Sequence, residues 1–476
     1  MKKKSSRSTK DLAHKAKLGD AKAAFQLYED YRDGSYVEAD ELVADEYANK
    51  AMEIFQEQSF HITSLRLVNF RAFKSVDLMF SKSRQNDKNL TVLVGVNGAG
   101  KTTILDAIAY SLSWVILRIL HPPNSGKGET IDIPDIHYSK DGVAEYASAV
   151  FDLQVNPNLE YQMELSKAAL ASNGSRKNEV EEIGRLGRLY KLANVKVPNF
   201  NMPIMAYYGV ERTIGFKQKD IKKTLGDIGD SQSKFDGYEK ALDANVNFVV
   251  FFQWFRYQTE VAGLEVGEPK IRAYASLKVV SEAIASVMPN LQNLRIQRLP
   301  VLDMLIDKDG LTLSVTQLSQ GEKSLLSLVF DIARRLILLN PDVSKCSPLK
   351  GYGIVLIDEI DLHLHPAWQQ RVVPSLTRTF PNVQFILTTH SPQVITTVPY
   401  DCIKLLDEGE VSSAPRGTRG AESSRILKRI FGVDPRPQDD ENTKLLNRYL
   451  KEIYDDRWAD EPVMEMRTKL NAIFAG

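Results

Sequence analysis

The chain has few cysteines and no excess of charge of either sign. Among its 476 residues only Cys346 and Cys402 are cysteines, which is too few for a disulfide scaffold and typical of a reducing compartment. Lysine plus arginine and aspartate plus glutamate both number 61, so the formal net charge is zero. A uniformly basic, polyanion-coating protein is therefore excluded, although local basic faces are compatible with this balance.

The sequence also predicts neither a secretory signal nor a membrane-spanning helix. The basic start, MKKKSSRSTKD, is not followed by an apolar stretch, as a secretory signal requires. The most apolar stretch, Ile104 to Leu120, contains Asp106 and Arg118 and follows a glycine-rich loop, so we expect a buried helix. Apolar residues make up 43% and charged residues 26% of the chain, which predicts a folded cytoplasmic protein of about two to four domains.

The first 58 residues are predicted to form a basic tail and a helical unit. Residues 1–10 carry basic and no acidic side chains and are expected to be frayed. Over residues 13–55 small and then aromatic residues recur at helical spacing around a Gly-Ser turn at 34–35, which predicts two short antiparallel helices. This pattern resembles one Sel1-like repeat, and a plain helical hairpin is the alternative. In either case the pair must pack on the main body or on a partner.

Strand-like and helical periods alternate along the rest of the chain. The expected strands cover 62–70, 76–80, 90–94, parts of 143–165 and two short segments within 303–313. Residues 166–235 are predicted to hold polar loops and helices, residues 241–290 helices, and the part up to about 407 strands alternating with helices. The last 60 or so residues are charged and predicted to be helical, with a break at residues 435–437.

The strongest motif is GVNGAGKTT, which follows the apolar run LTVLV and precedes an apolar helix. This spacing is that of a phosphate-binding loop, in which glycines let backbone N–H groups surround phosphates at a helix N-terminus. Lys101 is predicted to reach the β- and γ-phosphates, and the Thr102 hydroxyl to bind Mg²⁺. The candidate loop consists of Gly95, Val96, Asn97, Gly98, Ala99, Gly100, Lys101, Thr102 and Thr103.

Two further strands are predicted to end in polar site residues. The apolar run GIVLI is followed by Asp358 and Glu359, placing carboxylates at the carboxyl end of a buried strand, where ligands bind in α/β sheets. Asp358 is predicted to hold Mg²⁺ and Glu359 to polarise the attacking water. The run VQFIL ends in TTHS, so a parallel neighbouring strand would bring His390 to the same edge as a γ-phosphate sensor.

A capped helix forms the remaining motif. In QLSQGEKSLLSLVF, Ser319 and Glu322 have the spacing of a capping box before apolar residues at helical spacing. The N-terminus of such a helix offers free N–H groups to an anion.

Together these segments resemble the ABC-type ATPase heads of the Rad50/SMC/RecF class. The resemblance rests on the phosphate loop, LSQGEK, the IDE strand, TTHS, and NFRAF at residues 69–73. Within this class, the chain resembles the PtuA-type ATPases of Septu and retron anti-phage systems. This narrower resemblance rests on DLHLHP after Glu359, MAYYGVERT at residues 205–213 and the N-terminal helices. This implies an α/β head with mixed sheet, antiparallel strands and a helical lobe at about 220–330. The head would span 59–415, between an N-terminal unit (1–58) and a helical C-terminal extension (416–476).

The resemblance also implies how such a head works. ATP would be held between two heads, with Ser319 and Gly321 touching the γ-phosphate bound to the other subunit, Asp361 at the dimer seam, and Arg71 near the nucleotide. The partner would be an HNH nuclease of the PtuB type, and in retron systems also a reverse transcriptase with its RNA–DNA hybrid. The sequence departs from the class pattern at the Q-loop, where YYGVER with Glu211 and Arg212 stands instead of a glutamine.

Other functions fit less well. A transporter cassette has no place for NFRAF or DLHLHP, and a long-armed SMC protein needs heptads that residues 95–319 lack. An OLD-type ATPase–nuclease needs a Toprim domain after the His390 strand, but only 86 residues follow His390, so the chain is not expected to be a nuclease itself. The alternative function is that of an OLD/RecF-like ATPase of DNA repair or of a DNA-processing nuclease complex. Metal binding at His363 and His365, base stacking by the aromatic run 248–257 and phosphate contacts by the basic stretches 174–196 and 217–223 are each less favoured than structural roles.

Overall fold

A six-stranded, mostly parallel sheet forms the centre of the protein. The computed structural model describes residues 6–55, 59–80, 89–121, 125–140, 142–156, 159–170, 176–213, 233–245, 248–264, 266–342 and 346–474. Its strands are β1 (His61–Phe70), β2 (Phe73–Met79), β3 (Leu90–Gly95), β4 (Tyr138–Ser139), β5 (Gly142–Val143), β6 (Tyr146–Asn156), β7 (Leu159–Ala168), β8 (Ile204–Tyr208), β9 (Leu291–Gln297), β10 (Asp303–Lys308), β11 (Leu311–Ser314), β12 (Gly353–Ile357), β13 (Val383–Thr388), β14 (Ile403–Asp407) and β15 (Glu410–Ser413).

Helices cover both faces of this sheet and extend the chain at both ends. They are α1 (Ser6–Lys17), α2 (Ala21–Asp33), α3 (Glu41–Ile54), α4 (Lys101–Leu120), α5 (Glu181–Lys196), α6 (Phe248–Ala262), α7 (Glu268–Val287), α8 (Gln320–Leu339), α9 (Pro366–Thr379), α10 (Pro392–Ile395), α11 (Ser423–Ile430), α12 (Glu441–Tyr454) and α13 (Glu461–Phe474).

The central sheet has the order β15-β14-β3-β13-β12-β8, and all of its strands except β15 run parallel. Strand β13 lies between β3 and β12, with Thr388 opposite Leu93 and Ile357 opposite Leu387. The strands are apolar and buried on both sides, as a sheet covered on two faces requires. The carboxyl ends of β3, β13, β12 and β8 therefore meet at one edge, which confirms the predicted adjacency of the two motif-bearing strands.

An antiparallel sheet of order β2-β1-β6-β7 packs beside the central one. Its strands agree with those predicted at 62–70, 76–80 and within 143–165. The amide of Gln384, which is buried on β13, joins the two sheets: its Oε1 accepts the Ile62 N–H at 2.8 Å and its Nε2 donates to the Ile62 carbonyl at 3.0 Å.

Helix α4 follows the glycine-rich loop and lies within the hydrophobic core. It is long and apolar enough to cross a membrane by length and composition. Ile104, Leu112 and Val115 are all fully buried inside the fold, so the helix occupies the place predicted for a core helix, and its apolar length is explained by burial.

The N-terminal unit has three helices, and the prediction of two is wrong. The first predicted helix is broken at residues 18–20, where Gly19 has φ +94° and Asp20 accepts the Ala23 N–H as the N-cap of α2. Glycine in the left-handed region followed by an aspartate cap ends one helix and starts the next. Residues 1–10 were expected to be frayed, but helix α1 begins at Ser6, whereas residues 1–5 lie outside the described part. The Sel1-like identity of the unit stays a prediction.

This unit packs on the main body, as predicted. Phe55 is fully buried against Tyr190 and Phe200, with ring centroids 5.1 and 5.7 Å away. The Arg188 guanidinium of α5 donates to the Glu29 carboxylate of α2. Ion pairs also engage Arg176, Arg185 and Lys196, which agrees with a solvated surface for residues 174–196. Residues 217–223 lie outside the described part.

The region 166–235 contains a central-sheet strand that the sequence pattern did not reveal. Strand β8 has five fully buried residues and pairs in parallel with β12, with Ile357 opposite Tyr208. Prediction of loops and helices alone was therefore wrong here. Five apolar residues inside a polar stretch are too few to show the hydrophobic periodicity of a strand. They form a strand because they pair with the edge of β12. Strand β9, within the three-stranded sheet β11-β10-β9, was missed similarly.

The aromatic run at 248–257 belongs to the core. It forms α6, and Trp254 and Phe255 pack against Phe330 of α8 with centroids 6.3 and 5.9 Å apart. The packing interpretation is therefore confirmed over base stacking. Near the C-terminus, α11, α12 and α13 agree with the predicted helical extension, and Asp440 and Glu441 form the start of α12.

Candidate nucleotide site

The loop after β3 is shaped by glycines that admit no side chain. A Cβ on Gly95 would lie 2.5 Å from the Leu406 carbonyl oxygen, and one on Gly100 would lie 2.3 Å from the Phe73 ring. Gly98 and Gly100 have φ values of +82° and +93°, which favour glycine. The result is a concave run of backbone N–H groups at the start of α4, the shape that surrounds phosphates.

Lys101, the first residue of α4, lies under this loop. Its ammonium donates to the carbonyl oxygens of Gly95 and Val96, both at 3.0 Å, and the residue is 7% exposed. Burial lowers the pKa of Lys101, while the carboxylates of Asp358, Glu359 and Asp361 act in the opposite direction. The ammonium is thus desolvated and held only by neutral carbonyls, which suits it to receive phosphate oxygens.

Asp358 joins the loop to the neighbouring strand. The Thr102 hydroxyl donates to Asp358 Oδ2 at 2.9 Å, and the Thr388 hydroxyl donates to Oδ1 at 2.5 Å. Asp358 is 3% exposed. A carboxylate and a threonine hydroxyl in direct contact at the end of a phosphate loop are a donor set that suits Mg²⁺, a cation that prefers oxygen ligands.

Glu359 extends beyond the strand in a constrained backbone conformation. Its φ is +46°, and its N–H donates to the Thr388 hydroxyl at 2.7 Å. The left-handed conformation is costly for a residue with a Cβ and is kept only where surrounding contacts fix it. Thr388 therefore fixes both members of the acidic pair, one through its carboxylate and one through its backbone.

Arg212 fixes the same segment from the other side. The guanidinium donates to the carbonyl oxygens of Gly209 at 2.9 Å and Glu359 at 2.6 Å, and also to that of Asp358. Arg212 is 5% exposed, and burial lowers its pKa to about 10, so it remains charged at neutral pH. The sequence marked YYGVER as the place of an atypical Q-loop but gave no sign of these contacts, which depend on β8 pairing with β12.

A buried ionic network ties β8 to α8. The Tyr208 hydroxyl donates to Asp331 Oδ2 at 2.9 Å, and Arg334 and Arg335 donate to the same carboxylate at 3.0 and 2.6 Å. Burial alone would raise the pKa of Asp331, but the two guanidinium groups hold it well below its usual range. The strand that precedes Arg212 and the helix that begins beside Ser319 are thereby joined by hydrogen bonds.

The TTHS segment brings further polar groups to the edge. The Thr389 hydroxyl donates to Asp361 Oδ1 at 2.5 Å, and the Ser391 hydroxyl caps α10 by accepting the Val394 N–H at 3.2 Å. His390 follows β13 and is half-buried. Burial lowers the pKa of His390, and the positive charge of Lys101 lowers it further. The ring therefore favours its neutral form near the predicted γ-phosphate position.

The predicted signature residues lie at the exposed N-terminus of α8. Ser319 Oγ donates to Glu322 Oε2 at 2.8 Å and accepts the Glu322 N–H at 3.3 Å, completing the predicted capping box. Gly321 is buried, and a Cβ there would lie 2.3 Å from the His363 carbonyl oxygen. In the same chain, the signature turn therefore packs on the loop that follows Asp361, and its assignment to a second subunit's nucleotide stays a prediction.

Arg71 is engaged by carboxylates in this structure. Its guanidinium donates to Asp135 at 2.7 Å, to the Tyr110 hydroxyl at 3.0 Å, and to Asp106 of α4. These hydrogen bonds raise the pKa of Arg71 although burial opposes the shift. Arg71 thus connects β1 to the helix of the phosphate loop, and its contact with nucleotide stays a prediction.

The two histidines after Asp361 have positions at a helix entry. His365 is the N-cap of α9, and its Nδ1 accepts the Ala367 N–H at 3.3 Å, while His363 is exposed with φ +61°. Within the described ranges no group of three or more His, Cys, Asp or Glu side chains is arranged to hold a metal ion.

Comparison with known proteins identifies the family. The domain described as "AAA domain" matches residues 64–253, and the one described as "AAA domain, putative AbiEii toxin, Type IV TA system" matches residues 176–396. The chain is 35% identical to the "Retron Ec83 probable ATPase" of Escherichia coli, covering 98% of this chain and 94% of that protein. It is 32% identical to the "Retron Vc95 probable ATPase" of Vibrio cholerae, with 92% of each chain covered.

The chain also has more distant similarities to known proteins. The "Septu protein PtuA" of Bacillus thuringiensis is 21% identical over 78% of this chain and 84% of its own length. Among solved structures, an SMC head bound to the C-terminal winged-helix domain of ScpA covers 75% of this chain and 98% of its own, at 19% identity and a TM-score of 0.41. From the relatives of 35% and 32% identity and the α/β head with its phosphate loop, we conclude that the chain belongs to the PtuA-type ATPases of retron and Septu anti-phage defence systems.

Proposed function

We propose that the chain binds Mg·ATP at the edge of the central sheet and hydrolyses it within an ATP-bridged dimer. The observation that carries this proposal is a hydrogen-bonded set formed by Thr102 at the start of α4, Asp358 directly after β12 and Thr388 at the end of β13. It joins the phosphate loop, the acidic strand and the His390 strand in one place. No other group of described residues combines a phosphate cradle with oxygen ligands for a cation.

The residues divide the work by position. Lys101 exchanges its loop carbonyls for the β- and γ-phosphates, and Thr102 and Asp358 hold Mg²⁺, which when bound neutralises phosphate charge. Glu359 accepts a hydrogen bond from the attacking water and orients it, while Thr388 and Arg212 fix its backbone. His390, neutral in the free protein, donates a hydrogen bond to the γ-phosphate.

The site is completed by a second copy of the chain. Ser319 is exposed at the N-terminus of α8, where free N–H groups and a hydroxyl can receive an anion. Gly321 packs on the backbone after Asp361, so the signature turn and the seam loop move as one unit. In a head-to-tail dimer this unit would contact the γ-phosphate held by the Lys101 of the other subunit.

In the cell, ATP binding by this dimer controls a partner effector. The names of the retron and Septu relatives support an effector complex, and we propose an HNH nuclease as the effector, with a reverse transcriptase and its RNA–DNA hybrid in a retron setting. The complex acts in the cytoplasm. In this proposal the ATP-bound dimer restrains the activity of the nuclease, and hydrolysis or loss of ATP removes that restraint.

The Glu359→Gln variant tests this proposal. The amide keeps shape and hydrogen bonding but loses the charge that orients water, so hydrolysis falls by roughly two to four orders of magnitude while Mg·ATP binding remains. Sedimentation with ATP then finds a trapped dimer, and the nuclease of the purified complex stays silent. Normal hydrolysis by the variant contradicts the catalytic assignment. Unchanged nuclease control in a hydrolytically dead variant contradicts the ATP switch.

A further inference from the structure

Besides the basic tail at residues 1–10, positive charge is concentrated in a segment near the C-terminus of this electrically neutral chain. Between residues 416 and 436 there are six basic and two acidic side chains, although the whole chain has a net charge of zero. Five of these cations lie on the loop before α11 and on α11 itself. We call this surface the basic face; it consists of Arg416, Arg419, Arg425, Lys428 and Arg429.

The arginines of the basic face converge on two adjoining hollows. One, with a volume of about 480 Å³, is lined by Tyr400, Arg416 and Arg419 among others. Arg416, Arg425 and Arg429 line the second, smaller hollow. The Arg425 guanidinium also reaches to 4.0 Å from the Cβ position of Gly417. The four guanidinium groups therefore form one continuous surface rather than a scatter along the sequence.

The cations of the basic face are exposed and have no acidic partner. Among the described residues, none of the five forms an ion pair or a side-chain hydrogen bond, whereas Arg188 and Arg457 elsewhere are paired with Glu29 and Glu452. The acid closest in sequence, Glu422, accepts a hydrogen bond from Ser424. Clustered like charges repel one another and weaken the folded state, so a polyanionic partner is the natural counterpart.

Helix α11 is built to present these charges. Ile426 is 2% exposed and packs into the core, and Ile430 packs against it. Arg425, Lys428 and Arg429 have i, i+3 and i+4 spacing and are exposed, so they share the outward face of the helix. Arg416 lies over the Tyr400 ring with its guanidinium carbon 5.9 Å from the centroid, which orients it at the border of the hollow.

We propose that the basic face binds the phosphate backbone of a nucleic acid. Guanidinium groups match phosphate oxygens in geometry and charge, and several of them on an open surface suit a repeated phosphate chain better than one small anion. A membrane surface fits less well, because no large, exposed apolar side chain lies between residues 414 and 432, whereas membrane-binding helices combine cations with exposed apolar residues.

The basic face is also attached to the nucleotide site. The Gly420 N–H donates to the Thr396 carbonyl oxygen at 2.8 Å, one residue beyond α10, the short helix that follows His390. Nucleic acid held at Arg419 would thus lie beside a backbone hydrogen bond to the segment that follows the predicted γ-phosphate sensor. The binding surface itself does not depend on the proposed ATPase mechanism.

The test compares two charge-reversed variants of the full chain without ATP. Binding to a fluorescein-labelled DNA duplex and to its separated strands is measured by fluorescence anisotropy at several salt concentrations. Arg425→Glu/Arg429→Glu weakens binding tenfold or more near 0.1 M salt and lowers the salt slope by about two units, roughly 0.9 per lost phosphate contact on duplex DNA. Arg467→Glu/Lys469→Glu on α13, an equal change of charge at exposed positions, leaves affinity and slope unchanged.

Each alternative result has a definite meaning. Equal weakening by both variants means that only net charge matters and overturns the proposal. Absence of wild-type DNA binding at low salt, or binding to anionic phosphatidylserine vesicles instead, also overturns it. Because the experiment omits ATP, failure here leaves the ATPase proposal standing. An unchanged unfolding temperature and ATPase rate in Arg425→Glu/Arg429→Glu show that any lost binding is not caused by misfolding.

Discussion

Arg212 donates a hydrogen bond to the main-chain carbonyl oxygen of Glu359, with the guanidinium nitrogen 2.6 Å from the oxygen. The same side chain binds the carbonyls of Asp358 and Gly209. One buried cation therefore fixes the backbone of both acidic residues, including a φ of +46° at Glu359. A side chain 5% exposed and enclosed by the ends of β8 and β12 has no route to bind substrate itself. Its contacts give it a positioning role.

Substitution of Arg212 is expected to lower turnover more than binding. Arg212→Lys keeps the charge, but a single ammonium cannot reproduce the fork that reaches two neighbouring carbonyls. Because a displacement of about 1 Å in a catalytic group can reduce the rate about a hundredfold, we expect kcat to fall by roughly ten- to a hundredfold with KM for ATP nearly constant. Steady-state kinetics over a range of ATP concentrations measures both.

Arg335→Lys is the matched control for Arg212. Arg335 is also buried and donates to two backbone carbonyls, those of Gly237 and Glu239, at 2.8 and 3.1 Å. It lies on α8 and does not contact the acidic pair. Because Arg335 also pairs with Asp331 in the network that joins α8 to β8, the control should lower the unfolding temperature and reduce kcat much less than Arg212→Lys does. Equal losses of kcat in both variants, in proportion to stability, would remove the positioning role.

Removal of the Lys101 ammonium should weaken nucleotide binding. Lys101→Ala deletes the ammonium that donates to the phosphate loop carbonyls, and we expect affinity for ATP to fall by a factor of ten or more, or about 1.4 kcal/mol. Calorimetric titration measures it directly. Lys469→Ala, at an exposed position on α13, is the control and should bind as the wild type does. Unchanged binding by Lys101→Ala places the nucleotide elsewhere.

If Ser319 contacts the nucleotide of a second subunit, its substitution should affect dimerisation but not ATP binding by the single chain. Ser319→Arg blocks the seam with a long side chain, so ATP affinity of the isolated chain stays near wild type while ATP-driven dimerisation and hydrolysis are lost. Loss of the Ser319 cap costs about 1 kcal/mol of stability. Ser314→Ala is the control, because it removes the cap of the neighbouring turn and should cost a similar amount. Sedimentation with and without ATP distinguishes the two variants. Normal dimerisation of Ser319→Arg argues against a signature helix at the seam.

Acid should destabilise the free protein partly through His390. Burial and Lys101 lower the pKa of His390, while Asp361, Glu359 and Asp358 oppose the shift. Below about pH 6.5, the usual histidine pKa, the unfolded chain takes up this proton more readily than the folded one, so stability falls as pH falls. The His390→Gln variant lacks this loss. As pH is lowered from about 8 to about 5.5, its free energy of unfolding should therefore rise relative to that of the wild type, as denaturant unfolding measures.

A second substitution at the same position provides the comparison for that measurement. His390→Asn also removes the ring, so its stability relative to wild type should change with pH as that of His390→Gln does. Bound ATP should reverse the trend at His390, because a phosphate beside the ring favours the charged imidazolium. A pH-independent difference between wild type and His390→Gln would contradict a neutral, partly desolvated ring.

Much of the site follows from local sequence. GVNGAGKTT fixes a strand, a glycine loop and a helix in consecutive residues, because backbone freedom and helix N-terminal N–H groups are local properties. Asp358 and His390 each follow a continuous apolar run, and such runs are typical of parallel strands buried on two faces. That these strands are neighbours was an expectation from the motif set, and the register of β12, β13 and β3 confirms it.

The sequence alone therefore determined the phosphate loop, the acidic pair, the capped signature helix and the family. Tertiary structure decided what holds them in place. Strand β8 became recognisable only through its pairing with β12. Because of that pairing, Arg212 reaches the carbonyl oxygens of Asp358 and Glu359, which lie 146 and 147 positions further along the chain. The arginines of residues 416–429 likewise form one face only when loop and helix fold together. Local patterns encode backbone conformation, whereas contacts between distant residues depend on which surfaces the whole chain must bury.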